Sequence, residues 1–359
     1  MLRKIIFLVV AMMIMAFIGY QQNIEPLPAG AAKDTEELSD PSKDVISLSV
    51  KAQITYFSPA SGTYYPSNAV TSYLRFKNTG TERWTFWVGY SVQDKAGRWY
   101  DTPSHSVTLD PGKESSTQSK TWYVLTDPLL TTGYYKVAMA VWKTRPENGG
   151  ATRLDYKERS NAFQAFNFLD SFSSFNTSRW YRGAHNLGLG YLDPSNVGVS
   201  AGSLTLKFPS NTYNGAEIGS NNRYKYGTYR VRMKNPQAPG SLSTFFLYQG
   251  VSGGNDEIDI EIYNNGTRRI DFVTWVRGTR TNHAQHTLAF DPSAAYHEYR
   301  IDFYPNNVSF YVDGQLLRTW TSGLPTNSMR LMSNAWWPTW LSGPKPTTHK
   351  YTYIDWIQH

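Results

Sequence analysis

Glu257-Ile258-Asp259-Ile260-Glu261 alternates three acids with two β-branched apolar residues. A period of two is the pattern of a β-strand, where residues i, i+2 and i+4 share one face. The segment therefore predicts a strand with both isoleucines turned into a core and three carboxylates in a row on the other side. Neighbouring like charges oppose one another's ionisation and destabilise a fold. A chain that keeps such a row has a use for it. On the residues alone three uses stay open: carboxylate catalysis, a cation site built from the same oxygens, and a solvated acidic face.

The alternation extends outward on both sides. Ser203 to Phe208, Gly227 to Met233, Thr244 to Tyr248, Tyr299 to Phe303, Val308 to Val312 and Tyr351 to Ile357 read as strands, with a hairpin turn at Asp313-Gly314. Nearer the N-terminus, Thr71 to Phe76 and Thr85 to Val92 read the same way, punctuated by Asn78-Thr79-Gly80 and Asp110-Pro111-Gly112. No stretch carries a helical period. The expected fold class is all-β: a concanavalin-like β-jelly-roll sandwich over residues 167–359, preceded by an immunoglobulin-like β-sandwich over residues 46–166. The larger sandwich, by its strand number, should bend and offer a concave face to a long polymer.

At the N-terminus, Arg3 and Lys4 precede an apolar run from Ile5 to Phe17. This is the layout of a secretory signal, and it is shorter than the roughly 20 residues of a membrane-spanning helix. Residues 1–20 are read as a signal peptide or, if uncleaved, an N-terminal anchor. Residues 21–45, with Pro26, Pro28 and Gly30, are read as a flexible linker. The expectation is a secreted or extracellular chain, with membrane or cell-wall association through its N-terminus in the anchored case. The sandwich at 46–166 shows no catalytic cluster and is expected to be a spacer or a weak wall-binding module.

Composition narrows the function classes. With 40% hydrophobic and 18% charged residues, the chain of 359 residues is globular. Its 12 Trp and 25 Tyr are more rings than a core requires. Surplus rings suit the apolar C–H faces of sugars, and an aromatic-rich sandwich core is the other reading. The formal charge of +7 comes without a run of Lys or Arg, so a basic solvated surface is expected and nucleic-acid binding is not. The absence of cysteine excludes disulfides, thiol nucleophiles and zinc–thiolate sites. A monomer is expected.

Carboxylate pairs do one chemistry well. Glycoside hydrolysis needs one carboxyl to protonate the leaving oxygen and a second to attack the anomeric carbon or to activate water; a separation of about 5–5.5 Å gives retention and about 6.5–9.5 Å inversion. Residues four apart on a strand have Cα atoms about 13 Å apart. Glu257 and Glu261 must then lean together over Asp259, which glutamate is long enough to do. The shorter Asp259 can hydrogen-bond the nucleophile and hold a shared proton.

The surroundings sharpen this. Asn255-Asp256-Glu257-Ile258-Asp259-Ile260-Glu261 resembles the signature of glycoside hydrolase family 16, in the form without an inserted residue that is typical of its lichenases and xyloglucan-active members. Gly215-Ala216-Glu217, Tyr226 to Lys234, Ser243 to Tyr248, Ala295 to Tyr299, Tyr311 to Leu316, Asn334-Ala335-Trp336, Trp340-Leu341 and Tyr353 to Trp356 resemble lichenase segments in the same order. The resemblance runs from about Asp170 to the end. It implies a retaining endo-hydrolase of β-glucans, most closely of mixed-linkage β-1,3-1,4-glucan, with a polysaccharide substrate and no catalytic cofactor. By the same resemblance Glu257 is the nucleophile, Asp259 the assistant and Glu261 the acid/base. Glu217, Phe246, Tyr248, Trp275, Asn334, Trp336, Trp340 and Asn186 match substrate-binding positions. Ser171, Gly202 and Asp355 match a structural calcium site. Two positions depart from the family pattern, with Asn255 where a tryptophan is usual and Gly219 where an arginine is usual. A β-glucan or xyloglucan transglycosylase and a lectin-like binding protein are the alternative readings.

Overall fold

The computed structural model describes residues 48–126 and 129–359, so the signal or anchor and the linker read over residues 1–45 lie outside the described residues. Residues 47–359 form one compact unit containing two β-sandwiches. Among the described residues the helical content is two single turns, Pro146–Asn148 and Pro194–Asn196, so the all-β expectation holds. No helix among them is long and apolar enough to cross a membrane.

The first sandwich contains β1 (Ala52–Ser58), β2 (Thr63–Tyr64), β3 (Ala69–Asn78), β4 (Trp84–Gln93), β5 (Trp99–Leu109), β6 (Gln118–Tyr123), β7 (Gly133–Trp142) and β8 (Arg153–Ala165). A three-stranded sheet, β1-β3-β6, faces a five-stranded sheet, β2-β8-β7-β4-β5. In β4 the alternation is clear: Phe86, Val88, Tyr90 and Val92 are buried, while Trp87, Gly89 and Ser91 face outward.

The second sandwich begins with β9 (Leu169–Asp170), β10 (Trp180–Arg182), β11 (His185–Leu187), β12 (Gly190–Leu192), β13 (Val197–Ser200) and β14 (Ser203–Phe208). It continues with β15 (Ala216–Tyr224), β16 (Gly227–Lys234), β17 (Leu242–Val251), β18 (Gly254–Tyr263), β19 (Arg269–Val276) and β20 (Thr279–Thr287). It closes with β21 (His297–Tyr304), β22 (Asn307–Val312), β23 (Gln315–Trp320), β24 (Met329–Trp336) and β25 (Lys350–Gln358). A seven-stranded sheet, β10-β15-β24-β17-β18-β19-β20, packs on a sheet ordered β13-β14-β25-β16-β21-β22-β23, with β9 added beside β25. Every pairing in these two sheets is antiparallel. The hairpin turn between β22 and β23 falls on Asp313-Gly314, with φ of 48° and 79°. Positive φ at both central residues is the type I′ geometry whose twist matches the strands.

Ile258 and Ile260 point into the core between these sheets, fully buried with Phe245, Leu247, Val231 and Ile354. Period two then leaves the acids on the outer face of the seven-stranded sheet, as the sequence predicts.

The sandwiches meet at one end of β16, β21 and β25. Thr132 Oγ1 lies 3.1 Å from His359 Nδ1 and accepts from Thr228 N at 2.9 Å, while Tyr304 donates to the Thr132 carbonyl at 3.1 Å. His359 is buried, stacked on Tyr229 at 4.0 Å and paired backbone to backbone with Phe168. Burial holds its imidazole well below its usual value, at about 3, so it sits there uncharged.

Candidate active site

Strand register builds the site. Directly opposed residues in antiparallel strands share a face, so three rows run across the seven-stranded sheet, each crossing one acid. The first runs Trp275, Glu257, Tyr248, Arg330. The second runs Val273, Asp259, Phe246, Met332, Gly219, Tyr181. The third runs Asp271, Glu261, Thr244, Asn334, Glu217. Apart from Val273, Asp271 and Gly219, these residues line a cavity of about 900 Å³.

All three acids line that cavity, as do Glu217, Phe246, Tyr248, Trp275, Asn334, Trp336 and Trp340. Trp336 and Trp340 meet edge to face at 5.2 Å, and Trp340 is 60% exposed, a ring available to a ligand. Asn186 does not line the cavity; its neighbours His185 and Leu187 do. On the short strand β11 alternate residues point to opposite sides, which turns Asn186 away.

The metal expectation meets a competing charge. The Asp355 carboxylate is bonded to Arg232 on the neighbouring strand, in a pair that is partly exposed. Calcium requires six to eight oxygens with carboxylate charge among them. Ser171 and Gly202 would offer backbone carbonyls and Asp355 the one carboxylate of the set, and in this structure that carboxylate is held by the Arg232 guanidinium. Among the described residues no cluster of three Asp, Glu, His or Cys side chains could hold a metal.

Burial dominates the electrostatics of the acid row. Asp259 is 6% exposed, and desolvation, reinforced by the charges of Glu257 and Glu261, raises its carboxyl well above the usual range. Protonated, it donates to Glu257. Desolvation also lifts Glu257 to about 7, against the hydrogen bonds from Asp259 and from Asn255 Nδ2, which favour its anion. Glu261 is lifted to about 7 by desolvation, then by Asp271 and Glu257, with Arg269 and Arg280 opposing. Glu217 reaches about 7 by desolvation, opposed by the hydrogen bond from Asn334 at 3.3 Å.

Sequence reasoning missed Tyr181, His185, Asp271 and the role of Gly219. A Cβ at Gly219 would lie 2.4 Å from the Tyr181 ring, so glycine there lets that ring lie along the cavity. Asp271 is a further acid, opposite Glu261, held by Arg269 and by His283 at 2.9 Å. Its alternation within Arg269-Ile270-Asp271-Phe272 was legible, but its pairing to Glu261 depends on register.

The family model for glycosyl hydrolases family 16 matches residues 191–358. The β-glucanase of Bacillus subtilis (strain 168) is 32% identical over 246 residues, covering 64% of this chain and 95% of that protein. The chain belongs to glycosyl hydrolase family 16. As a member of this family it is a glycoside hydrolase. The β-glucanase of Paenibacillus macerans is 34% identical over 206 residues, covering 54% of this chain and 87% of that protein. Among solved structures, a prokaryotic β-1,3-1,4-glucanase (lichenase) from a mouse hindgut metagenome is 28% identical, with a TM-score of 0.50 over 53% of this chain and 97% of that chain.

Proposed function

We propose that this family 16 chain is an endo-acting, retaining β-glucanase, and that its substrate is mixed-linkage β-1,3-1,4-glucan. The observation that carries the reading is the Glu257-Asp259-Glu261 row facing a cavity lined by Trp275 from one neighbouring strand and by Trp336 and Trp340 from the other side. The names of the relatives, β-glucanase and lichenase, support the choice of polymer.

Glu257, as the carboxylate, attacks the anomeric carbon. Glu261, protonated because burial and Asp271 disfavour its anion, gives its proton to the glycosidic oxygen, and the leaving chain departs. The glycosyl ester on Glu257 is then hydrolysed by a water that Glu261 deprotonates, which restores both groups. Asp259 keeps a proton throughout, donates it as a hydrogen bond to Glu257, and so lets Glu257 rather than itself carry the negative charge. Glu217 and Asn334 face sugar hydroxyls, and the tryptophans stack on pyranose faces.

The test is reducing-sugar release from barley β-glucan, laminarin, xyloglucan and agarose by wild type and Glu257→Gln. Cleavage of barley glucan that Glu257→Gln abolishes, with the β-anomer as first product, supports the proposal. Equal activity of the two proteins refutes it, and products longer than the input oligosaccharides indicate a transglycosylase. Such a polymer is met outside the cell, so the reading includes export. Recovery of full-length activity in a cytoplasmic fraction would overturn that part.

A further inference from the structure

The first sandwich carries a second groove that the mechanism does not use. It lies on the outer face of the five-stranded sheet and has a volume of about 580 Å³, within the roughly 300–1,000 Å³ usual for ligand sites. Register puts Gly89 and Ser91 of β4 beside Ala140 and Ala138 of β7. These four small side chains form a low floor. Ala138 and Ala140 face away from the sandwich core yet are 5% and 6% exposed. They are sunk beneath taller neighbours, which is what makes the face concave.

The walls are aromatic. Trp142 closes one end, Tyr156 flanks the floor beside Ala140, and Trp99 stands at the other end. A Cβ at Gly89 would lie 3.0 Å from Trp142 Nε1, so the missing side chain lets the indole lie over the floor. The indole N–H has no hydrogen-bond acceptor among the described residues. Trp99 stands opposite Gln93, which faces Lys136, six residues along β7 from Trp142. Because the Trp142 indole reaches over Gly89, four residues along β4 from Gln93, the rings are about 13 Å apart along the strands at about 3.3 Å per residue, enough for a short oligosaccharide.

Charge selects the class of ligand. Lys136 pairs with Glu158 at 3.3 Å and reaches over the Trp99 ring, Arg153 stacks on Tyr156 at 4.4 Å, and Ser104 binds Glu147. The rim therefore carries both signs of charge, with Lys136 held by Glu158, Glu147 by Arg145 at 3.4 Å and Asp101 by the Ser91 hydroxyl, and it presents no cluster of cations to a polyanion. Rings, small floor residues and hydrogen-bonding Ser91 and Asp101 suit a neutral, polar ligand with apolar faces.

We propose that this groove is a second carbohydrate-binding site, taking a linear segment of the same β-linked glucan that enters the catalytic cleft. The choice of glucan rests on the function proposed above. The groove holds polymer on a sandwich docked to the catalytic one through Thr132 and His359.

The experiment is calorimetric titration of the full chain carrying Glu257→Gln, so that nothing is cut, with a mixed-linkage glucan hexasaccharide. Two molecules should bind per chain. Adding Trp142→Ala should reduce this to one, as should adding the exposed-residue change Trp99→Ala, which guards against misfolding of the first. Adding Trp336→Ala should remove the other site. A single site in the Glu257→Gln protein, unaffected by Trp142→Ala and Trp99→Ala, overturns the groove while leaving the hydrolase reading intact if wild type still cuts the polymer. A Trp142-dependent site that takes mannan or xylan and not this glucan overturns the choice of ligand. Self-association of the chain that Trp142→Ala abolishes assigns the face to a second copy and overturns the proposal.

Discussion

Glu217→Gln separates the electrostatics of the cleft from its shape. Glu217 is 3% exposed, and its carboxyl is lifted from 4.5 to about 7, chiefly by desolvation. The unfolded chain gives up this proton near 4.5, the folded chain only near 7. The folded state therefore binds more protons between those values. This group's destabilising effect is absent below about pH 4.5, grows as pH rises, and levels off above about pH 7. At 1.36 kcal/mol per pH unit the full effect is about 3 kcal/mol. Glutamine has the same shape, has no proton to lose, and its amide oxygen can accept the bond that Asn334 now donates. The variant should match wild type at pH 4 and exceed it by up to about 3 kcal/mol at pH 8. At roughly 2–4 °C per kcal/mol, thermal unfolding should rise by about 6–12 °C at pH 8. Melting curves at pH 4, 6 and 8 provide the assay. A gain independent of pH, or a loss at pH 8, would refute the claim that a buried, proton-hungry carboxyl strains this cleft.

Further outcomes follow from the same geometry. Asn255→Leu removes the hydrogen bond that favours the Glu257 anion; a bond to a charged group is worth about 1.5–3 kcal/mol, so kcat should fall about 10–100-fold with little change in KM, and an unchanged kcat would show Asn255 to be idle. Asp271→Asn removes a charge that raises Glu261, so the alkaline limb of kcat/KM should move to lower pH by up to about one unit; a limb that stays put, or moves upward, contradicts the role given to Asp271. Because Arg232 already neutralises Asp355, EDTA and added calcium should both leave Tm within about 1 °C, since a ligand that does not bind cannot stabilise; a calcium-dependent rise would reinstate the metal site.

The strand structure was legible because burial on one face imposes period two. Ile258 and Ile260 had to turn inward, and once they did, Glu257, Asp259 and Glu261 had to share the other face. Turn chemistry was equally local: Asp313-Gly314 supplies two positive φ angles without reference to the rest of the fold. The N-terminal segment could be read only as a pattern of charge followed by apolar residues.

What stands beside the acids could not be read this way, because register between strands is a property of the packed sheet. Asp271 faces Glu261, and Asn334 bridges Thr244 and Glu217, through pairings between segments up to 117 residues apart. A one-residue slip would send each to the opposite face. Asn186 and its neighbours on β11 show the same rule from the other side, since the residue that matched a pattern points away while His185 and Leu187 reach the cavity. The groove over Gly89 and Ala140 was hidden for a related reason. Small residues in a strand pattern look like weak strand formers until taller rings on adjacent strands enclose them. Sequence thus determined which faces are apolar and which are acidic, through alternation that each strand carries within itself. Tertiary structure alone decided which side chains meet across strands, because only the folded sheet brings distant segments to hydrogen-bonding distance.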